Sequence, residues 1–185
     1  MSILDLGFQS GDDFINSLNL AAPMIEDILK DSGLSENNRV KLMQAGYSPK
    51  EILDLSDREM DALFQSGYQA MGVGDLQAAE DVFTTLCRLD SLDARFPFAL
   101  AATLQLQGRY ATAAKLYVVA LGLNATHVDA YVRLGECLIE AREFDQAQEV
   151  LEIALALTEK GHGDEEARSQ AESLIAQISE LAARA

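Results

Sequence analysis

Residues 74–89, GDLQAAEDVFTTLCRL, recur 34 positions on as residues 108–123, GRYATAAKLYVVALGL, and again as residues 142–157, REFDQAQEVLEIALAL. The alignment has no insertion. Its columns keep a turn residue (Gly74, Gly108, Arg142), an alanine (Ala79, Ala113, Ala147), a bulky residue (Phe83, Tyr117, Leu151) and a leucine (Leu89, Leu123, Leu157). Upstream of each block, the same step links the small residues Gly67, Ala101 and Gly135. A fixed period of this length marks a stack of supersecondary units, none of which buries its apolar face alone.

The period and its columns are those of the tetratricopeptide repeat. Small residues at 67, 101 and 135 let the two helices of a unit approach. Gly74 and Gly108 can adopt the left-handed conformation that ends a helix without a Cβ penalty, so Arg142 is expected to cost a little stability. Ser91, Ala125 and Glu159 stand where such units usually carry proline. The reading places helix pairs at roughly 60–73 with 76–89, 94–107 with 110–123, and 128–141 with 144–157, with Pro97 in the first turn of its helix.

Beyond the repeats, Ala167, Ala171, Leu174, Ile175, Ile178 and Leu181 fall at helical spacing between 164 and 183, which predicts a capping helix. Glu165, Arg168, Gln170, Glu172 and Glu180 would form its polar outer face. Before the repeats, Phe14, Leu18, Met24, Ile25, Ile28 and Leu29 predict one or two short amphipathic helices interrupted near Pro23. Ser48…Glu51 and Ser56…Glu59 have capping-box spacing and predict two helix starts, the first with Pro49 at its first position. The expected architecture is an all-α tetratricopeptide-repeat solenoid of three helix pairs with N-terminal helices and a C-terminal capping helix. Residues 1–56 form the N-terminal helical segment and residues 57–185 the repeat domain.

Composition narrows the function. The 185 residues carry 14 Lys+Arg against 30 Asp+Glu, a formal charge of −16, with 49% hydrophobic residues. Such a chain folds, but it repels phosphates and anionic headgroups, which argues against nucleic acid as a partner. The longest apolar stretch, 96–104, is broken by Pro97 and Thr103 and is too short to span a bilayer, so no direct membrane insertion is expected. The first basic residue is Lys30, which does not fit a secretory signal. A cytoplasmic location follows. Cys87 and Cys137 form no CxxC pair and occupy repeat positions that face the core. His127 and His162 fall in turns, and no nucleotide loop or HExxH motif is present. No catalytic residue, cofactor or metal is expected; the chain reads as a non-enzyme.

The surface left for function is the concave face, lined by the leading helix of each repeat. Its inward positions are expected to be Asp61, Phe64, Tyr68 and Met71, then Arg95, Phe98, Ala102 and Gln105, then Asp129, Val132, Glu136 and Ile139. Large apolar side chains along a groove suit an extended peptide that offers Leu, Val or Pro. Repeats that clamp an acidic C-terminal tail need basic residues here. Phe64 and Tyr68 stand instead, and Asp61, Asp129 and Glu136 would repel such a tail.

The run Phe83-Thr84-Thr85-Leu86-Cys87-Arg88-Leu89-Asp90, followed by Asp93-Ala94-Arg95-Phe96, resembles the signature of the class II chaperones of bacterial type III secretion. Gln107-Gly108-Arg109-Tyr110 with Ala113 and Tyr117, and Gly135-Glu136-Cys137-Leu138, extend the match. So does Ile52-Leu53-Asp54-Leu55-Ser56 with Leu63-Phe64, for a total span of about 46–158. The resemblance implies a bacterial cytoplasmic chaperone. Its partner would be a pore-forming translocator, kept soluble until export through a Pro/Val-x-Leu-x-x-Pro-like segment held in the groove. By position, the client-binding residues would be Phe64, Tyr68, Met71, Leu76 and Leu89, with Phe98 and Leu106 beside them. Met71 and Leu76 stand where relatives tend to have tyrosine. The resemblance also implies a homodimer formed through the N-terminal helices. The alternative is a general tetratricopeptide scaffold in another bacterial assembly or regulatory pathway.

Overall fold

The structure, a computed structural model, describes residues 41–182. The amphipathic segment from Phe14 to Leu29, and the dimer expected through it, lie outside the described residues. After helical residues 41–44 come α1 (Pro49–Ile52), α2 (Asp57–Gly72), α3 (Leu76–Leu89), α4 (Arg95–Leu106), α5 (Tyr110–Leu123), α6 (Val128–Glu140), α7 (Phe144–Glu159) and α8 (Glu165–Ala182). Among the described residues there is no strand. The three helix pairs fall where the repeat register predicts them.

Local chemistry explains the boundaries. Both capping boxes form. Glu51 accepts the Ser48 backbone N–H at 2.7 Å, and Glu59 accepts that of Ser56 at 2.9 Å. Each serine hydroxyl in turn accepts the backbone N–H three residues on, at 3.3 Å. These bonds satisfy donors that a helix start otherwise leaves unpaired. Each serine hydroxyl also donates to its glutamate carboxylate, at 2.9 Å for Glu51 and 2.6 Å for Glu59, and together with the backbone N–H this holds both carboxyls below their ordinary range. Lys50 reaches Asp57 at 2.6 Å and Asp90 at 3.5 Å, tying α1 to the start of α2 and the end of α3.

The leading helix of each repeat ends in the same way. Gly74, Gly108 and Arg142 have φ of 82°, 75° and 61°. Their N–H groups bond to Met71, Gln105 and Ile139 at 3.0, 2.9 and 2.9 Å. The next N–H groups reach back to Ala70, Leu104 and Leu138 at 2.9, 2.9 and 2.8 Å. This is the Schellman arrangement, and the third repeat forms it with a non-glycine residue.

The two helices of a repeat meet through a small residue facing a large one. A Cβ built on Gly67 would lie 2.6 Å from the Phe83 ring, and one on Gly135 would lie 2.7 Å from Leu151. Ala101 and Tyr117 stand at the same positions of the second repeat, and both are fully buried. The alanine column, Ala79, Ala113 and Ala147, is likewise fully buried.

The terminal helix forms where the cap is expected, and one residue of its outer face turns inward. Ala167, Ala171 and Ile178 are buried, and α8 packs against α6 as well as α7. Gln170, expected on the solvated outer face, is half-buried and donates to Glu136 of α6 at 2.6 Å. The reason lies in the register: Gln170 stands 34 residues after Glu136, so α8 takes the place of a fourth leading helix.

Candidate functional site

The leading helices α2, α4, α6 and α8 lie side by side and are bonded to one another across the concave face. Arg95 of α4 reaches Asp61 of α2 at 3.0 Å, and Gln105 of α4 reaches Glu136 of α6 at 2.7 Å. The Gln170–Glu136 bond continues the series into α8. The chemistry of this face changes from one end to the other.

At the first-repeat end the face is aromatic. Phe64 and Tyr68, one helical turn apart on α2, meet edge to face with ring centroids 4.9 Å apart. Phe83 of α3 supports both, at 5.8 Å from Phe64 and 5.4 Å from Tyr68, and Phe96 lies 5.6 Å from Phe64. Edge-to-face pairs of this kind contribute about 0.5–1.5 kcal/mol beyond area burial, so the exposed rings are held on a rigid base. Tyr68 keeps 38% of its surface exposed, while burial of the remainder raises its phenol pKa. The Arg95 guanidinium sits 5.3 Å from the Phe64 ring centre, where a cation is attracted to the ring face. Hydrogen bonding to Asp93, and then to Asp61, raises the Arg95 pKa. One helix further on, Phe98 packs against Tyr117 at 5.6 Å and His127 at 4.4 Å.

At the third-repeat end the face is built of amides and a carboxylate. The buried Tyr117 hydroxyl donates to the Gln105 side-chain carbonyl at 2.8 Å. The Gln105 amide donates to Glu136 Oε2 at 2.7 Å, and the Gln170 amide to Oε1 at 2.6 Å. Arg133 completes the group with an ion pair to Glu136 at 3.0 Å. Tyr117 thus joins the two ends, packing on Phe98 with its ring and orienting Gln105 with its hydroxyl.

The expected site residues do not all share this surface. Phe64, Tyr68 and Phe98 present aromatic surface on α2 and α4, and Met71 is half-buried against the core. Leu76, the first residue of α3, is half-buried, and its carbonyl accepts from Gln107 at 3.2 Å. Leu106 ends α4 and is 61% exposed. Leu89 is only 4% exposed and belongs to the core, because the last turn of α3 is enclosed by the helices it packs against. Val132 and Ile139, expected to face the groove, are also core residues, at 2% and 7% exposed. The neighbours of α6 explain this: α5, α7 and α8 all pack on it. The Gln105–Glu136–Gln170 chain went unread in the sequence. Extending the 34-residue step once past the third repeat would have placed Gln170 beside Glu136.

Reactive chemistry has little foothold. Cys87 and Cys137 are buried free thiols, and burial pushes each pKa up to about 12. Among the described residues, no group of three or more His, Cys, Asp or Glu side chains is placed to hold a metal ion. No described helix is long and apolar enough to cross a membrane.

Comparison with known proteins adds three findings. A tetratricopeptide repeat family model matches residues 104–178, a span that takes in most of α8. The chaperone protein SicA of Salmonella typhimurium is 29% identical over 126 residues, 68% of this chain and 74% of SicA. The Yersinia enterocolitica type III secretion chaperone SycD, solved in complex with a peptide of the translocator YopD, superposes with a TM-score of 0.64. It is 25% identical and covers 68% of this chain and 95% of its own, and SycD has also been solved as an alternative dimer. The fold is that of a tetratricopeptide-repeat protein, and the chain is a relative of the type III secretion chaperones.

Proposed function

We propose that this relative of the type III secretion chaperones is itself a non-catalytic chaperone. It binds a hydrophobic translocator in the bacterial cytoplasm and keeps it soluble before export. The observation that carries the reading is the aromatic surface of α2 and α4: Phe64 packed edge to face on Tyr68, and Phe98 packed on Tyr117, all three partly open to solvent. An extended client segment with a Pro-x-Leu-x-x-Pro pattern lays its apolar side chains against these rings. Met71, Leu76 and Leu106 add apolar surface for the client, while Leu89 lies in the core.

The energetics suit the task. A translocator exposes apolar segments in water, and each Å² of apolar surface covered contributes about 25 cal/mol. No nucleotide cycle is required, because the groove acts on one local segment. The charge of −16 keeps chaperone and client dispersed by mutual repulsion. Residues 57–185 are the client-binding unit, and residues 1–56 supply the homodimer contact.

Titration of a fluorescent Pro-x-Leu-x-x-Pro peptide into the full chain tests the reading, alongside co-expression with candidate translocators. Saturable binding is expected, weakened by about 1–3 kcal/mol in Phe64→Ala or Tyr68→Ala, the range for an aromatic anchor. Absence of both binding and a soluble co-complex would leave a repeat scaffold with another ligand.

A further inference from the structure

The 34-residue step that relates the groove positions runs Tyr68, Ala102, Glu136 and Gln170, and the last of these belongs to α8. Gln170 and Gln105 each give one amide N–H to opposite oxygens of Glu136. Glu136 is therefore not an open charge: both oxygens accept amides, and Arg133 neutralises it at 3.0 Å. Among the described residues, the Gln170 carbonyl and the second N–H of each glutamine have no partner in the hydrogen-bond network. An amide that both donates and accepts matches the main chain of an extended peptide, whose N–H and C=O groups must be paired when they leave water.

We propose that the client groove continues through α8, which is a wall of the site as well as a cap. Its far end grips the client's backbone through Gln105 and Gln170, with Glu136 as the positioning residue. The proposal rests on the chaperone reading above. Length supports it. Adjacent helices lie about 8–10 Å apart, so the path from Tyr68 to Gln170 crosses three spacings, about 24–30 Å. An extended segment advances about 3.3 Å per residue, so six residues cover about 20 Å. A client of about seven to nine residues fills the groove, and its last one to three lie against α6 and α8. Backbone recognition there makes the extension tolerant of sequence, unlike the apolar anchors.

The test uses the full chain and a set of fluorescent peptides: the six-residue Pro-x-Leu-x-x-Pro core, and the core extended at either end by four Gly/Ser residues. Two further versions carry an N-methylated or a lysine extension. One Gly/Ser extension is expected to tighten binding about fivefold, the worth of about one net hydrogen bond. That gain disappears on N-methylation and in Gln170→Ala. A photo-crosslinker replacing Ser173 should capture the extended peptide, whereas one at Glu172, on the outward face beside Arg168, should not. This readout does not depend on how well Gln170→Ala holds α8. No gain from either extension, a gain that survives Gln170→Ala, or a gain from lysine alone would overturn the proposal and leave core binding standing. Failure of the core itself to bind wild type overturns the chaperone reading as well.

Discussion

The first and third repeats share a backbone and differ in what they offer. In both, a glycine of the leading helix faces a large side chain of the trailing helix, Phe83 against Gly67 and Leu151 against Gly135. In both, a left-handed residue closes the leading helix with the same pair of hydrogen bonds. On the concave face the likeness ends. Tyr68 of the first repeat corresponds to Glu136 of the third, and half-buried Phe64 to Val132, which the third repeat buries in the core. The positions that hold a repeat together admit few side chains, because each must fit a fixed gap between helices. The positions facing the groove fill no such fixed gap, so their chemistry is free to differ between repeats. Repeats of this kind separate stability from recognition residue by residue.

The sharpest way to break the likeness is to empty its lock. Phe83→Ala removes a fully buried ring that supports both Phe64 and Tyr68, and should cost about 3–5 kcal/mol in urea unfolding. Leu151→Ala should cost about 2–5 kcal/mol without touching the aromatic cluster. If both proteins lose peptide affinity equally, the groove is not divided as described. A gentler version fills the gap instead. Gly67→Ala places a methyl group 2.6 Å from the Phe83 ring, and this overpacking costs about 1–3 kcal/mol. The gain in helix propensity offsets roughly 1 kcal/mol of it. A net rise in melting temperature would refute the assigned contact.

The buried thiols allow a comparison by pH. The first and third repeats carry one each, Cys87 and Cys137, and burial pushes both up to about 12. An unfolded thiol titrates near 8.5. The sign follows: the folded pKa lies above the unfolded one, so this contribution to stability is intact below about pH 8.5 and is lost as pH rises toward 12. Alkylation at pH 8 should therefore modify neither cysteine until the chain is unfolded. Rapid labelling of native Cys137 alone would mean that the third repeat opens independently of the first.

The smallest expected effect concerns the turns. Arg142 holds a φ of 61° that Gly74 and Gly108 reach without a Cβ penalty. Arg142→Gly should stabilise the third repeat by about 0.5–1 kcal/mol, after the greater freedom of glycine in the unfolded chain is counted. A loss of stability would show that the Arg142 side chain contributes more than its backbone costs.

Much of this was legible in the residues alone. The 34-residue columns set the helix pairs, the small-to-large contacts and the turn geometry, because each is a local or nearest-neighbour requirement written at a fixed spacing. The capping boxes at Ser48 and Ser56 were equally plain, since a cap involves only four consecutive residues. Composition and the cysteine positions pointed away from catalysis. The groove aromatics Phe64, Tyr68 and Phe98 followed from the register too.

Tertiary structure decided the rest. Only the packing of α5, α7 and α8 on α6 turns Val132 and Ile139 inward, and only the enclosure of α3 removes Leu89 from the surface. Helical periodicity gives a residue's angle about its own axis. It does not give the number of neighbours the helix will have, and burial depends on both. Gln170 shows the same limit most clearly. As part of a single helix it reads as solvated surface, and it becomes part of the groove only because α8 docks where a fourth repeat would begin.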